Sequence, residues 1–263
     1  MRHCFLVVCL WAFAAAPSMA QDGASEAGPY MSVFGGLGSS SSASMQQKGA
    51  VHLNQHFSLP IDARGATDGS RVHMAGAQVG YEWNRWDFGS SKWGMKPAAE
   101  LEGLYIGRHT SVGEMPVMPR FLGTQYVYFP MSAGVVLANA VFTFKTPYSD
   151  RIFPYLGVGA GVAFTSVKGS DSANPSEPGI NHFNSDPDAS DTAFAMQFKV
   201  GVKGEISKNL YLFTEYRYLS ISSTSYTFGS TDYPGVHLPT ASWQVGMGRQ
   251  HYNFVVAGLQ YKF

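Results

Sequence analysis

The sequence predicts an all-β fold: an eight-stranded antiparallel up-and-down barrel that crosses a membrane on its strands, with four long loops at one end. Three observations predict it. Apolar residues recur with a period of two along several segments of the chain. The 263 residues include 29 glycines and 14% aromatics, yet beyond residue 20 no run suits a spanning helix, which needs about 20 apolar residues. The links between the alternating segments are long and short in turn. In lipid every backbone polar group must be bonded within the protein, so a chain without spanning helices crosses as a closed barrel.

The N-terminus points to export. Arg2 and His3 precede an uncharged apolar run from Cys4 to Ala16, followed by Pro17, Ser18, Met19 and Ala20. This is the layout of a secretory signal peptide over residues 1–20, with cleavage expected after Ala20 and one barrel domain over 21–263. Cys4 and Cys9 both lie within the signal, and neither follows the small-residue site. Lipid attachment and disulfides are therefore not expected in the mature chain. The full chain has 18 basic and 18 acidic residues, and removal of the signal takes only Arg2. Near-neutral charge with no basic cluster argues against a nucleic-acid partner.

The strands are expected at roughly 28–38, 71–83, 97–108, 131–145, 152–167, 192–206, 209–222 and 250–263. The first, over Tyr30–Gly38, is weakly patterned. In the second, Ala77, Val79, Tyr81 and Trp83 oppose Gly76, Gln78, Gly80 and Glu82. In the third, Ala99, Leu101, Gly103 and Tyr105 oppose Glu100, Glu102, Ile106 and Arg108. The fourth and fifth, within Met131–Lys145 and Ile152–Val167, are also weak. The sixth sets Phe194, Met196, Phe198, Val200 and Val202 against Gln197, Lys199 and Lys203. Ser207-Lys208-Asn209 then makes a polar turn into the seventh, where Leu210, Leu212, Thr214, Tyr216 and Tyr218 alternate with Tyr211, Phe213, Glu215 and Arg217. The last places Val255, Ala257, Leu259, Tyr261 and Phe263 on one face and Gly258, Gln260 and Lys262 on the other.

The long links, at about 39–70, 109–130, 168–191 and 223–249, are rich in Ser, Gly, Asn and Asp, and read as mobile loops. With both termini periplasmic, these loops are extracellular. Aromatics near the short turns (Trp83, Trp86, Phe88, Trp93, Phe144, Tyr148, Phe153, Tyr155, Tyr261 and Phe263) form the expected periplasmic girdle.

Several segments resemble the small outer-membrane β-barrel family, which includes the OmpA transmembrane domain, OmpX-like proteins and opacity-type adhesins. They are Pro154-Tyr155-Leu156-Gly157-Val158-Gly159-Ala160-Gly161-Val162, Leu137-Ala138-Asn139-Ala140-Val141-Phe142, the Phe194–Leu219 hairpin with Glu215-Tyr216-Arg217-Tyr218-Leu219, and Gly258-Leu259-Gln260-Tyr261-Lys262-Phe263. The resemblance covers the layout of residues 28–263 but not the loops. It implies an integral protein of the Gram-negative outer membrane, surrounded by lipid and lipopolysaccharide. It also implies insertion by the outer-membrane assembly machinery, with Tyr261 and Phe263 as the assembly signal. No periplasmic cell-wall-binding domain, such as some relatives append, is expected.

The inward face collects Glu82, Glu100, Glu102, Arg108, Lys199, Lys203, Glu205, Glu215, Arg217 and Lys262. The interior of an eight-stranded barrel is just wide enough for side chains to fill. Buried charges must pair, so a lumenal ion-pair network that plugs the barrel is expected rather than a conducting path. A weaker pattern is enzymatic. Ser220, Ser222 and His251 face outward near the extracellular end, and equal counts from the periplasmic ends set Ser222 beside His251. Lipid A or phospholipid modification is the chemistry such a pair offers, but no outward carboxylate is placed to orient the histidine. No catalytic residue, metal or cofactor is therefore expected. The first reading is a structural or adhesive surface role through loops that meet host surface components. The Ser222/His251 enzyme and a narrow channel are the alternatives.

Overall fold

The computed structural model describes residues 27–54, 56–89, 93–233 and 238–263, so the expected signal peptide lies outside the described residues. The strands, in chain order, are β1 (Gly28–Ser40), β2 (Ser44–Asn54), β3 (Phe57–Thr67), β4 (Arg71–Glu82), β5 (Trp86–Asp87), β6 (Gly94–Met118), β7 (Thr124–Lys145), β8 (Ile152–Val167), β9 (Asp171–Ala173), β10 (Ala189–Ser207), β11 (Leu210–Ile221), β12 (Thr224–Phe228), β13 (Trp243–Met247) and β14 (Gln250–Lys262).

Eight of them close a ring. β1 pairs with β4, β4 with β6, and the pairing continues through β7, β8, β10, β11 and β14 back to β1, antiparallel throughout. The first and last strands meet along most of their length, from Tyr30↔Lys262 to Ser40↔Tyr252. Closure leaves the ring no unpaired edge, which is what lipid demands. Along each strand burial alternates. In β11, Leu212 and Tyr216 face outward while Phe213, Glu215 and Arg217 face the axis. The short link after β10 turns on Asn209, whose φ of 70° is tolerated by asparagine better than by most residues. Trp83, Trp86, Phe88, Trp93, Tyr148, Tyr261 and Phe263 stand outward around the short-turn end. Tyr155, expected among them, points into the lumen instead, because it shares parity with Gly157 and Gly159.

Among the described residues the four long links are built of paired strands and a packed stretch. β6 and β7 run on past the barrel as a long hairpin that turns at Arg120–Leu122. The first link folds into the β2–β3 hairpin, and the last contributes β12 and β13. These pieces pair in the order β12-β13-β2-β3-β6-β7-β9, a second tier continuous with the barrel wall. The stretch from Asn174 to Asp188 fills the gap between β9 and β12. There the Thr231 hydroxyl donates to the His182 carbonyl at 2.8 Å, and the Gly229 amide donates to that of Asp186 at 2.9 Å. Inside this tier lies a hydrophobic core separate from that of the barrel. It is built on Met45, Met115, Phe129, Phe183, Phe228 and Trp243, with Phe183 stacked on Phe228 at 4.4 Å.

A closed ring resists detergent until heated. Unheated and boiled samples of inserted protein are expected to migrate differently on a detergent gel. Identical mobility would count against closure.

Candidate functional site

Polar and charged side chains converge in two places, the barrel lumen and the tier above it.

In the lumen, Glu102 is fully buried and serves as the hub. Its carboxylate accepts from Arg217, from Asn139 Nδ2 at 2.9 Å and from Gln197 Nε2 at 3.1 Å, and lies 3.5 Å from Lys199 Nζ. Arg217 also pairs with Glu215, which accepts the Tyr155 hydroxyl at 2.6 Å. Lys199 Nζ lies 2.5 Å from Glu100, which accepts the Tyr30 hydroxyl at 2.7 Å and Gln78 Nε2 at 3.2 Å. The guanidinium of Arg217 stacks on the Phe34 ring at 4.5 Å. Nearer the short-turn end, Glu82 pairs with Lys203 at 3.0 Å and Lys262 at 2.8 Å. Four carboxylates (Glu82, Glu100, Glu102, Glu215) thus meet Lys199, Lys203, Arg217 and Lys262, with Lys96 4.0 Å from Glu82 as a fifth cation at the rim.

The glycines of β8 make room for this network. A Cβ on Gly157 would lie 3.0 Å from the Lys199 side chain, and one on Gly159 would collide with the Asn139 carboxamide. Two gaps remain, lined in part by Glu100 and by Glu82, with volumes of about 10 and 20 Å³. Each has room for about one water molecule.

Two residues expected in the network stand outside it. Arg108 is exposed, and its Nη2 donates to the Lys168 carbonyl at 3.0 Å. The β6–β7 register shifts between Ile106 and His109, and this bulge reverses the alternation, so His109 takes the inward place. Glu205 is also exposed. It sits where the β10–β11 register shifts at the short-turn rim, past the lumen's end.

The outward serines and histidine do not meet as expected. β11 and β14 pair from Leu210↔Tyr261, so His251 faces Ser220 rather than Ser222. Counting from Phe263 overlooks a two-residue overhang, because the Phe263 amide reaches across to the Pro29 carbonyl at 3.0 Å. Ser222 lies past the end of β11, and its amide bonds the Phe194 carbonyl at 2.9 Å. His251 Nδ1 lies 2.6 Å from the Tyr218 hydroxyl, with the two rings stacked.

The tier above holds a cavity of about 40 Å³ that the strand pattern alone does not predict. Gln47, Gln125, Glu177, His182, Tyr233 and Trp243 line it beside Ile61 and Val117. His182 is buried, with Nδ1 2.6 Å from the Ser172 carbonyl and Nε2 2.9 Å from the Glu177 carboxylate. Glu177 also accepts the Tyr233 hydroxyl at 3.0 Å. Burial, then the Glu177 charge, pushes the Tyr233 hydroxyl well above its ordinary pKa. These polar groups bond one another, so the cluster is a cross-brace of the tier. A signal for it is present in the sequence: Tyr226/Phe228 and Trp243/Val245/Met247 alternate within segments otherwise rich in turn residues.

A family profile described as outer membrane protein beta-barrel domain matches residues 5–263. Among solved structures, the chain is similar to Neisserial surface protein A, at 16% identity over 90% of this chain and 99% of that one, with a TM-score of 0.36. It is similar to Ail, the attachment invasion locus protein of Yersinia pestis, at 12% identity over 85% and 98%, with a TM-score of 0.31. It is also similar to the outer membrane protease OmpT from Escherichia coli, at 9% identity over 88% and 97%, with a TM-score of 0.31. No curated protein matches it.

Proposed function

Since this chain belongs to the outer membrane protein β-barrel family, we propose that it acts at the cell surface as a non-enzymatic contact protein, its extracellular tier meeting host surface components. One observation carries the reading. The distal tips of the β2–β3 and β6–β7 hairpins present Phe57, Met118 and Phe121 outward, at 54, 56 and 79% exposure. The two hairpins stand side by side, since Asp62 pairs with Met118. These side chains lie on the far side of the tier from the membrane belt, in water. Exposed apolar side chains at the tips of two neighbouring hairpins, on a scaffold with its own core, fit a surface that is covered by a partner.

The alternatives draw less support. A channel needs an open lumen, and here charges and amides fill it. An enzyme at Ser222 and His251 needs the two in contact and a group to orient the imidazole. Instead Ser220 holds the facing position, and Tyr218 occupies Nδ1.

The test uses purified barrel carrying Phe57→Ser with Phe121→Ser. Binding to immobilised extracellular-matrix glycoproteins and to epithelial cells is expected to drop while the gel shift on heating stays normal. Wild-type-like binding by the variant would remove the tips as the contact surface. Turnover of labelled phospholipid that His251→Ala abolishes would replace the reading with the enzymatic one.

A further inference from the structure

The two ring nitrogens of His182 both face acceptors. The Ser172 carbonyl lies 2.6 Å from Nδ1 and also accepts the His182 amide at 2.8 Å. A carbonyl oxygen only accepts, so Nδ1 carries a hydrogen. The Gln125 carboxamide, 3.0 Å from the same nitrogen, fits this when its oxygen turns to the ring. Nε2 lies 2.9 Å from the Glu177 carboxylate. With Nδ1 already protonated, that contact holds only if a further proton sits between Nε2 and Glu177. In the closed cluster the pair therefore binds one proton more than a neutral imidazole and a free carboxylate do. Tyr233 does not supply it. Its hydroxyl donates to the same Glu177 oxygen at 3.0 Å, and burial and the Glu177 charge make it hold that proton more tightly than an ordinary tyrosine.

Among the described residues no other titratable group faces the ring. β2, β7, β9 and β13 surround it with Gln47, Gln125, Ser172 and Trp243, and β3 and β6 with aliphatic side chains. Lys48, Asp62 and Arg64 alternate to the outer face of β2 and β3, as do Glu114 on β6 and Asp171 on β9. Within the links, Asp186 takes the Asp188 amide at 3.2 Å and Asp232 the Ser230 hydroxyl at 3.3 Å.

The two partners differ in freedom. His182 is buried, whereas the Glu177 side chain is 41% exposed and has water to swing into. When the shared proton leaves, an imidazole lone pair faces a carboxylate at contact distance, and the swing relieves the repulsion. Tyr233 then loses its acceptor, and with it goes the tie between Glu177 and the last long link. From this we infer that Glu177, His182 and Tyr233 form a proton-operated latch, which closes the tier over its cavity in mild acid and frees the Glu177–Ile180 turn as pH rises. The closed form binds the extra proton, so closure strengthens as pH falls. Opening bares Gln47, Gln125 and Trp243 beside Leu122. The latch does not require the host-contact reading, since its readout is motion and not binding.

The experiment places one nitroxide label on the latch. The expected mature chain has no cysteine, because Cys4 and Cys9 fall within residues 1–20. Pro178→Cys puts the label on an exposed position inside the Glu177–Ile180 turn. The labelled full barrel, in phosphatidylcholine nanodiscs, is followed by electron paramagnetic resonance from about pH 5 to about pH 8, the range in which histidine as a class changes charge. The label is expected to be immobile at the acid end and to lose its immobile component as pH rises. His182→Gln in the same background is expected to abolish the step, because glutamine binds no proton in this range. His52→Gln/His56→Gln, at the β2–β3 tip, is expected to keep it. The heat-dependent gel shift checks that each barrel is folded. A label on otherwise wild-type barrel that shows no step would overturn the inference. So would a step that survives His182→Gln, or one that disappears with the tip histidines.

Discussion

Replacing Glu102 with leucine is expected to lower the unfolding free energy of the barrel by about 3–5 kcal/mol, the cost of breaking a buried ion pair from one side. Glu102 accepts from Arg217, Asn139 and Gln197 and lies beside Lys199, so its loss leaves several donors facing one another in a space with no room for bulk water. Arg217 keeps Glu215 and Lys199 keeps Glu100, but the network gains one net positive charge. Replacing Arg217 as well restores the original net charge. The double variant Glu102→Leu/Arg217→Leu is therefore expected to cost less than the two single changes added together, and the difference measures their coupling. Urea unfolding in detergent, followed by the gel shift, gives all three values. An unchanged midpoint for Glu102→Leu would mean that water and counter-ions already fill the lumen. Conductance in planar bilayers would then become the next measurement.

The lumen is legible in the sequence because lipid enforces a strict rule. One face of each strand must be apolar, so charges at the alternate positions point inward, and Glu82, Glu100, Glu102, Lys199, Lys203, Glu215, Arg217 and Lys262 all do so. Parity counting fails where the backbone inserts a residue. In Ile106-Gly107-Arg108-His109 the one hint of a bulge is Gly107, which is lost among the many glycines of these strands, yet the bulge carries Arg108 out to the lipid face and His109 in. Counting from the strand ends likewise misplaces Ser222 against His251, because the stagger between β11 and β14 starts at Leu210↔Tyr261 and not at the last residue of the chain. The upper tier is harder to read, for another reason. β12 and β13 have five residues each, and β13 finds its second partner in β2, from the opposite end of the chain. Short alternating runs set among serines and glycines look like loops until a distant strand supplies the other side of the core. The aromatic tips that carry the proposed contact are likewise inconspicuous in sequence, since Phe57 and Phe121 stand out only once their neighbours are known to be buried.

The separateness of that tier leads to the second large effect. Trp243 is 2% exposed, donates its indole N–H to the Thr231 hydroxyl at 2.9 Å, and lies over Gly49 of β2. Trp243→Ala removes the largest side chain facing the cavity and leaves a void that the pinned hairpins cannot close. The expected cost is about 3–5 kcal/mol. It falls on the tier alone, because the barrel's apolar core and the tier's are distinct clusters. A local loss of this size opens one cooperative unit while the rest stays folded. Protease added outside intact cells is therefore expected to cut the Asn174–Asp188 stretch of the variant and spare the wild type. The barrel fragment should keep its heat-dependent gel shift and its urea midpoint. Loss of the shift along with the cleavage would show that the two cores fold as one unit, and that the tier stabilises the membrane barrel as well as crowning it.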